Sequence, residues 1–174
     1  MSIIARAARV GDAEAIASIY NEGIADRIAT FETEPRTGEQ IAGWFDGRHP
    51  IVVVEDGDGV VRAFASCSAY RSRDCYAGVA EFSVYVGRRH RGAGAGRVAL
   101  SALVEAATAA GFWKLVSRVF PENGRSLALV ARAGFRTVGT YRRHGKLDGQ
   151  WRDCVIVELL LGVAAEDANV AGKC

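Results

Sequence analysis

Two neighbouring features of this sequence carry chemistry. One is Glu81, the single carboxylate in an otherwise apolar stretch from Val79 to Val86. The other is the glycine-rich segment Arg91-Gly92-Ala93-Gly94-Ala95-Gly96 that follows it. A helix N-terminus presents unpaired backbone N–H groups and a partial positive charge. Glycines ahead of a helix remove the side chains that would keep an anion at a distance. The pairing makes a backbone cradle suited to a pyrophosphate, reinforced here by Arg88, Arg89, His90, Arg91 and Arg97. A flexible loop whose glycines merely turn the chain is the competing reading.

The spacing narrows the ligand. Gly92-x-Gly94-x-Gly96 is not GxGxxG, and no suitably spaced acidic residue follows it, so a dinucleotide fold is disfavoured. The Gly-Lys-[Ser/Thr] ending of a P-loop is absent as well. Glu81, in an apolar strand just upstream, is placed to act as a general base, because partial burial raises the pKa of a carboxylate toward a useful range. Read alone, it is also compatible with an exposed strand glutamate or a structural ion pair.

Arg91-x-x-Gly94-x-Gly96 resembles the [Q/R]-x-x-G-x-[G/A] signature of GNAT acetyltransferases, in the same place between a long strand and a helix. Asn123-x-x-Ser126 followed by Gly134-Phe135 resembles their second cofactor-side motif. Five further pieces resemble phosphinothricin acetyltransferases and their relatives that act on methionine sulfoximine and arsinothricin. They are Ile19-Tyr20-Asn21, Phe31-x-Thr33-Glu34-Pro35, Glu81-x-Ser83-Val84-Tyr85-Val86, Arg89-His90-Arg91 and Gly149-x-Trp151-x-Asp153.

The resemblance implies acetyl-CoA as co-substrate, with no metal, and transfer of its acetyl group to the α-amino group of a small acidic amino acid. A detoxification or resistance role follows from that substrate class. It implies Glu81 as the base and a cofactor surface made of Val84, Tyr85, Val86, Arg91, Gly92, Ala93, Gly94, Ala95, Gly96, Arg97, Asn123 and Ser126. Oxyanion stabilisation is expected from backbone N–H groups at a bulge near Val84 to Val86. Asn123 has a second reading as a helix N-cap. Phe31, Arg71, Arg73 and Tyr76 match the substrate-binding positions; an arginine fork suits a carboxylate or phosphinate. Trp151 and Asp153 are expected to be architectural.

One position departs from the pattern. Val130 stands where the family carries Tyr or His, so a dedicated general acid is in doubt. Tyr85, Tyr141 or His144 are the substitutes to inspect. The reaction tolerates the loss, since a thiol of pKa roughly 8.5 leaves readily as thiolate. Cys67 and Cys75 have no positioned base, which favours direct transfer over a covalent acetyl-enzyme. Two alternatives to the acidic amino acid reading are a GNAT enzyme for another amine, such as a polyamine or protein N-terminus, and a non-catalytic acyl-CoA-binding sensor.

The elements that must position these residues follow from periodicity. Strands are expected over 3–8, 51–54, 60–70, 79–86, 114–120, 135–142 and 151–161. Helices are expected after Asp12 as N-cap, through Ile16, Ile19, Tyr20 and Ile24; around Ile41, Trp44 and Phe45; from Gly96 to Gly111; and from Asn123 to Ala133. Glu81, Ser83 and Tyr85 share one strand face, and Phe82, Val84 and Val86 the other. The fold class is α/β (α+β): one GNAT domain over 1–162, with a mixed, mostly antiparallel sheet and helices on both faces, then a loose tail over 163–174.

A net charge of +2 gives no bulk attraction to nucleic acid or anionic membranes. Cys67, Cys75, Cys154 and Cys174 show neither metal-ligand nor disulfide spacing. No leader or spanning segment is apparent, and a cytoplasmic protein is expected. Homodimerisation is expected from the resemblance alone.

Overall fold

A computed structural model describes residues 2–171 of the chain. Strands β1 (Ile3–Ala7), β2 (Ile51–Asp56), β3 (Val61–Ala69), β4 (Val79–Val86), β5 (Lys114–Val119), β6 (Arg136–Leu147) and β7 (Gln150–Leu160) form one sheet, ordered β1-β2-β3-β4-β5-β7-β6. Helices are α1 (Ala13–Ala25), α2 (Gly38–Ala42), α3 (Ala95–Ala109), α4 (Gly124–Arg132) and α5 (Val163–Ala171). Every adjacent strand pair is antiparallel except β4 with β5. The crossover between those two is α3, as a parallel connection requires.

Alternation along the strands divides the core. Phe82 packs with Leu100, Leu103 and Leu115 beneath α3 and α4. Tyr85, its neighbour on the opposite face, packs with Ile16, Tyr20 and Phe64 beneath α1. A third cluster, Phe120, Leu147, Cys154 and Ile156, lies across β5, β6 and β7, with Phe31 and Val116 packed against it. Leu100, Leu103 and Leu115 are fully buried, and each such side chain contributes roughly 2 kcal/mol of transfer free energy. The face assignment for β4 made from the sequence therefore holds, with Glu81 on the α1 side.

Four local expectations are corrected. Asp12 occupies the N-cap position of α1 but makes no capping bond. Its carboxylate instead takes the Arg6 guanidinium at 2.8 and 2.9 Å and the Arg9 N–H at 2.7 Å, because a fork of two charge-assisted bonds outcompetes one cap bond. The second helix ends at Ala42, before Trp44 and Phe45, which lie in the following turns. Strand β6 runs on to Leu147 through a register break between Tyr141 and Gly145. There Arg143, at φ 47°, donates its N–H to Asp153 at 2.7 Å, which gives Asp153 its architectural role. Finally, Val163–Ala171 is helical where a loose tail was expected; the last three residues of that expectation lie outside the described residues.

Candidate active site

The parallel pairing of β4 with β5 is short. Val79, Ala80 and Glu81 pair with Lys114, Leu115 and Val116, and beyond Glu81 the two strands part. On its other edge β4 stays in unbroken register with β3 from Ala80 to Val86. The expected bulge is absent: the opening comes from divergence of β4 and β5, not from an extra residue. Ser117 spans the start of the gap, its hydroxyl donating to the Phe82 carbonyl at 2.9 Å. Gly87 donates its N–H to Arg62 across β3. By strict alternation Tyr85 and Ser83 also direct their N–H groups to β3, and Val84 and Val86 direct theirs into the gap. An unpaired strand N–H in a cleft is an oxyanion donor in waiting.

The cleft is walled by Phe82 to Tyr85, Ser117 to Phe120, Asn123, Ser126, Leu129 and Val130. Asn123 caps α4, its Oδ1 accepting from the Ser126 N–H at 3.2 Å, while its Nδ2 donates to the Ile28 carbonyl at 3.3 Å. Val130 is buried in the α3-side core and lines the same cleft, so no proton donor stands at that position. Tyr85 does not supply one. Its ring is stacked on Phe64, edge-on to Tyr20 and pressed to Gly23, and burial pushes its hydroxyl far above the ordinary phenol range. Tyr141 and His144 meet ring to ring at a tilt, centroids 4.8 Å apart, on exposed β6, and neither lines this cleft.

At the outer end of the gap, Gly92 and Gly94 have φ of 82° and 88°, a left-handed conformation that glycine adopts without a Cβ penalty. Gly94 is the N-cap of α3 and offers no side-chain cap. The N–H groups of Ala95 and Gly96 open this 15-residue helix ahead of Arg97, whose own N–H pairs with the Gly94 carbonyl at 3.1 Å. This arrangement fits a diphosphate. Gly96 allows a close approach of α3 to β4, since a Cβ there would stand 3.2 Å from Val86. Arg91 is turned inward: its Nε donates to the Val86 carbonyl at 3.2 Å, and its Nη2 lies 2.7 Å from Asp26 Oδ2 as an ion pair. Arg88 reaches the other oxygen of Asp26 at 2.7 Å. Burial pushes the Asp26 carboxyl up, but the two arginines outweigh it and hold the group below the usual range. Asp26 thus anchors the loop to the end of α1. Arg97 is exposed on the first turn of α3.

Glu81 stands at the inner end of the gap, opposite Ser68 on β3. The apolar surroundings expected for it are replaced by a cation. Arg118 of β5 donates from Nη2 to Glu81 Oε2 at 2.8 Å, and both side chains reach solvent, at 47% and 30% relative exposure.

The residues expected to bind substrate lie on the Phe31 loop and on the segment between β3 and β4. Phe31 packs edge-on to Phe120 and over Gly145, walling the β6 side. Asn21 fixes that loop by exchanging two 2.8 Å bonds with the Arg36 backbone. Arg71 lies over the Tyr70 ring, and Tyr76 meets the same ring edge-on. Arg73 is exposed at the start of the short turn Asp74–Tyr76. Trp151 is also exposed, with Lys146 over its ring. Arg118, Ser117, Asn21 and Asp26 were not singled out from the sequence. Only Asn21 carried a signal, its place in Ile19-Tyr20-Asn21.

Residues 16–135 match the acetyltransferase (GNAT) family model. Over 165 residues the chain is 34% identical to the L-methionine sulfoximine/L-methionine sulfone acetyltransferase of Pseudomonas aeruginosa, covering 92% of this chain and 96% of that one. It is 32% identical over 148 residues to the phosphinothricin N-acetyltransferase of Streptomyces coelicolor, covering 82% and 86%. Among solved structures, the phosphinothricin acetyltransferase of Sinorhizobium meliloti in complex with acetyl-CoA superposes with a TM-score of 0.86 at 32% identity, over 93% and 90% of the two chains. The chain belongs to the acetyltransferase (GNAT) family. It is an acetyl-CoA-dependent N-acetyltransferase with the GNAT fold.

Proposed function

We propose that the acceptor is the α-amino group of a small acidic, glutamate-like amino acid such as phosphinothricin, arsinothricin or methionine sulfoximine, with Glu81 as general base in a direct transfer. The observation that carries this reading is the position of Glu81: a solvent-reaching carboxylate where β4 and β5 part, with the unpaired Val84 N–H further into the same gap.

When bound, acetyl-CoA supplies an activated acyl carbon and a thiolate leaving group. The α3 N-terminus with Gly92 to Gly96 would hold its diphosphate, and Asn123, Ser126 and the Val84–Val86 edge would hold the arm. The remaining work falls to the chain. An α-ammonium is mostly protonated near neutral pH and must lose a proton before it can attack. Glu81 receives that proton. Val84 N–H offers a hydrogen bond to the oxygen on which negative charge develops. Apolar Val130 and Leu129 exclude water from the cleft. Arg71 and Arg73 suit an anionic acceptor and repel a polyamine.

Free-thiol release from acetyl-CoA, measured with phosphinothricin, methionine sulfoximine, arsinothricin, spermidine and a peptide, tests the assignment. Turnover confined to the three amino acids is expected. Preference for spermidine or the peptide would overturn it, and so would thiol release with none of the five.

A further inference from the structure

We infer that Arg118 selects for carboxylate-bearing acceptors by holding the Glu81 carboxylate until the acceptor's own carboxylate draws the guanidinium away. The inference rests on the reading of Glu81 as the general base.

The sequence of β5 sets up the contact. Val116 is the partner of Glu81 in the parallel ladder, and Arg118 follows two residues later on the same face, opposite Ile156 of β7. Its guanidinium reaches back along the widening gap to Glu81 Oε2 at 2.8 Å. Arg118 also lines the cleft beside Ser117, Phe120 and Asn123.

Stability does not explain the pair. With Arg118 47% and Glu81 30% exposed, an ion pair of this kind adds little to folding. Its effect on the carboxylate is more direct. An oxygen already accepting from a guanidinium is a poor receiver for an ammonium proton.

Charge balance identifies what releases it. An α-amino acid brings a cation and an anion separated by one carbon. Its carboxylate can take the planar fork of Arg118 through two parallel bonds, for which the guanidinium has five N–H donors. Its ammonium then meets the freed Glu81. Two ion pairs replace one pair and a zwitterion, with no charge left unmatched. One N–H bond of the ammonium breaks, its electron pair stays on nitrogen for attack, and the proton goes to Glu81. An amine without a carboxylate brings a lone cation, which leaves the Arg118–Glu81 pair in place.

The test compares two acceptors that differ in one group: methionine sulfone, and the amine left when its α-carboxylate is removed. For Arg118→Gln, kcat/KM with the amino acid is expected to fall at least about tenfold, whereas the decarboxylated amine holds steady or improves. Arg118→Lys should lie between, keeping charge without the fork. Acetyl-CoA affinity, measured directly, should be unchanged in both variants and reports that each is folded. A parallel fall for both acceptors, or an unchanged preference, would overturn the inference. Glu81→Gln is run alongside. If it abolishes turnover and Arg118→Gln leaves the preference intact, Arg118 is misassigned; if Glu81→Gln retains turnover, the base reading fails and takes this inference with it.

Discussion

Ser117 and Phe82 are joined across the point where the parallel strands begin to separate, by a hydroxyl-to-carbonyl bond of 2.9 Å. A ladder bond is replaced there by a side-chain bond, which lets β5 move away without leaving the Phe82 carbonyl unpaired. Ser117→Ala is therefore expected to cost about 1 kcal/mol in urea unfolding. It should also lower turnover about tenfold as the cleft geometry loosens. Unfolding and turnover both at wild-type values would remove Ser117 from the account.

The cradle proposed for the diphosphate would depend on a backbone conformation more than on its charges, since Arg91 is committed to Asp26 and Val86. At Gly94, with φ 88° and open space beside it, an alanine is strained by about 1 kcal/mol and places a methyl where the diphosphate would lie. Gly94→Ala should weaken acetyl-CoA binding about tenfold by calorimetry, with an amino acid KM close to that of the parent enzyme.

How much of this was legible in the sequence depends on the range of the interaction. The seven strands, the glycine loop ahead of a helix and the two faces of β4 follow from periods of two and from local turn chemistry, and they matched except that β6 runs on past 142 to Leu147. The surroundings of Glu81 did not. Arg118 lies 37 positions away and meets it only because β5 pairs in parallel for three residues and then diverges. That divergence also explains why a bulge was expected wrongly: unpaired N–H groups can arise from a strand that leaves as well as from one that buckles. The Asp12 cap failed for a different reason, a competition close in sequence: Arg6, six positions earlier on β1, offers its carboxylate a stronger bond than the adjacent helix does.

Asp12 gives the fold a defined response to acid. Hydrogen bonds from Arg6 lower its pKa, burial opposes them by less, and the Arg9 N–H adds to the lowering. A carboxyl depressed in the folded state stabilises above its unfolded pKa of about 3.9 and loses that contribution as pH falls through the folded value. Asp12→Asn should thus cost about 1 kcal/mol near neutral pH, with the difference from wild type narrowing below about pH 4. A difference that does not vary with pH would contradict this.

Cys67 is buried, and burial pushes its thiol up to about 12. A protonated, enclosed thiol is no acyl acceptor. Cys67→Ala should retain turnover within about twofold while costing roughly 1 kcal/mol of stability. Mass spectrometry of the enzyme incubated with acetyl-CoA alone should find no acetyl group on Cys67.

The most direct test is the turnover of Glu81→Gln with methionine sulfoximine, measured together with its acetyl-CoA dissociation constant. We predict a fall in kcat of about a hundredfold or more with cofactor affinity unchanged. Undiminished kcat across the pH range would contradict the assignment of the proton to Glu81.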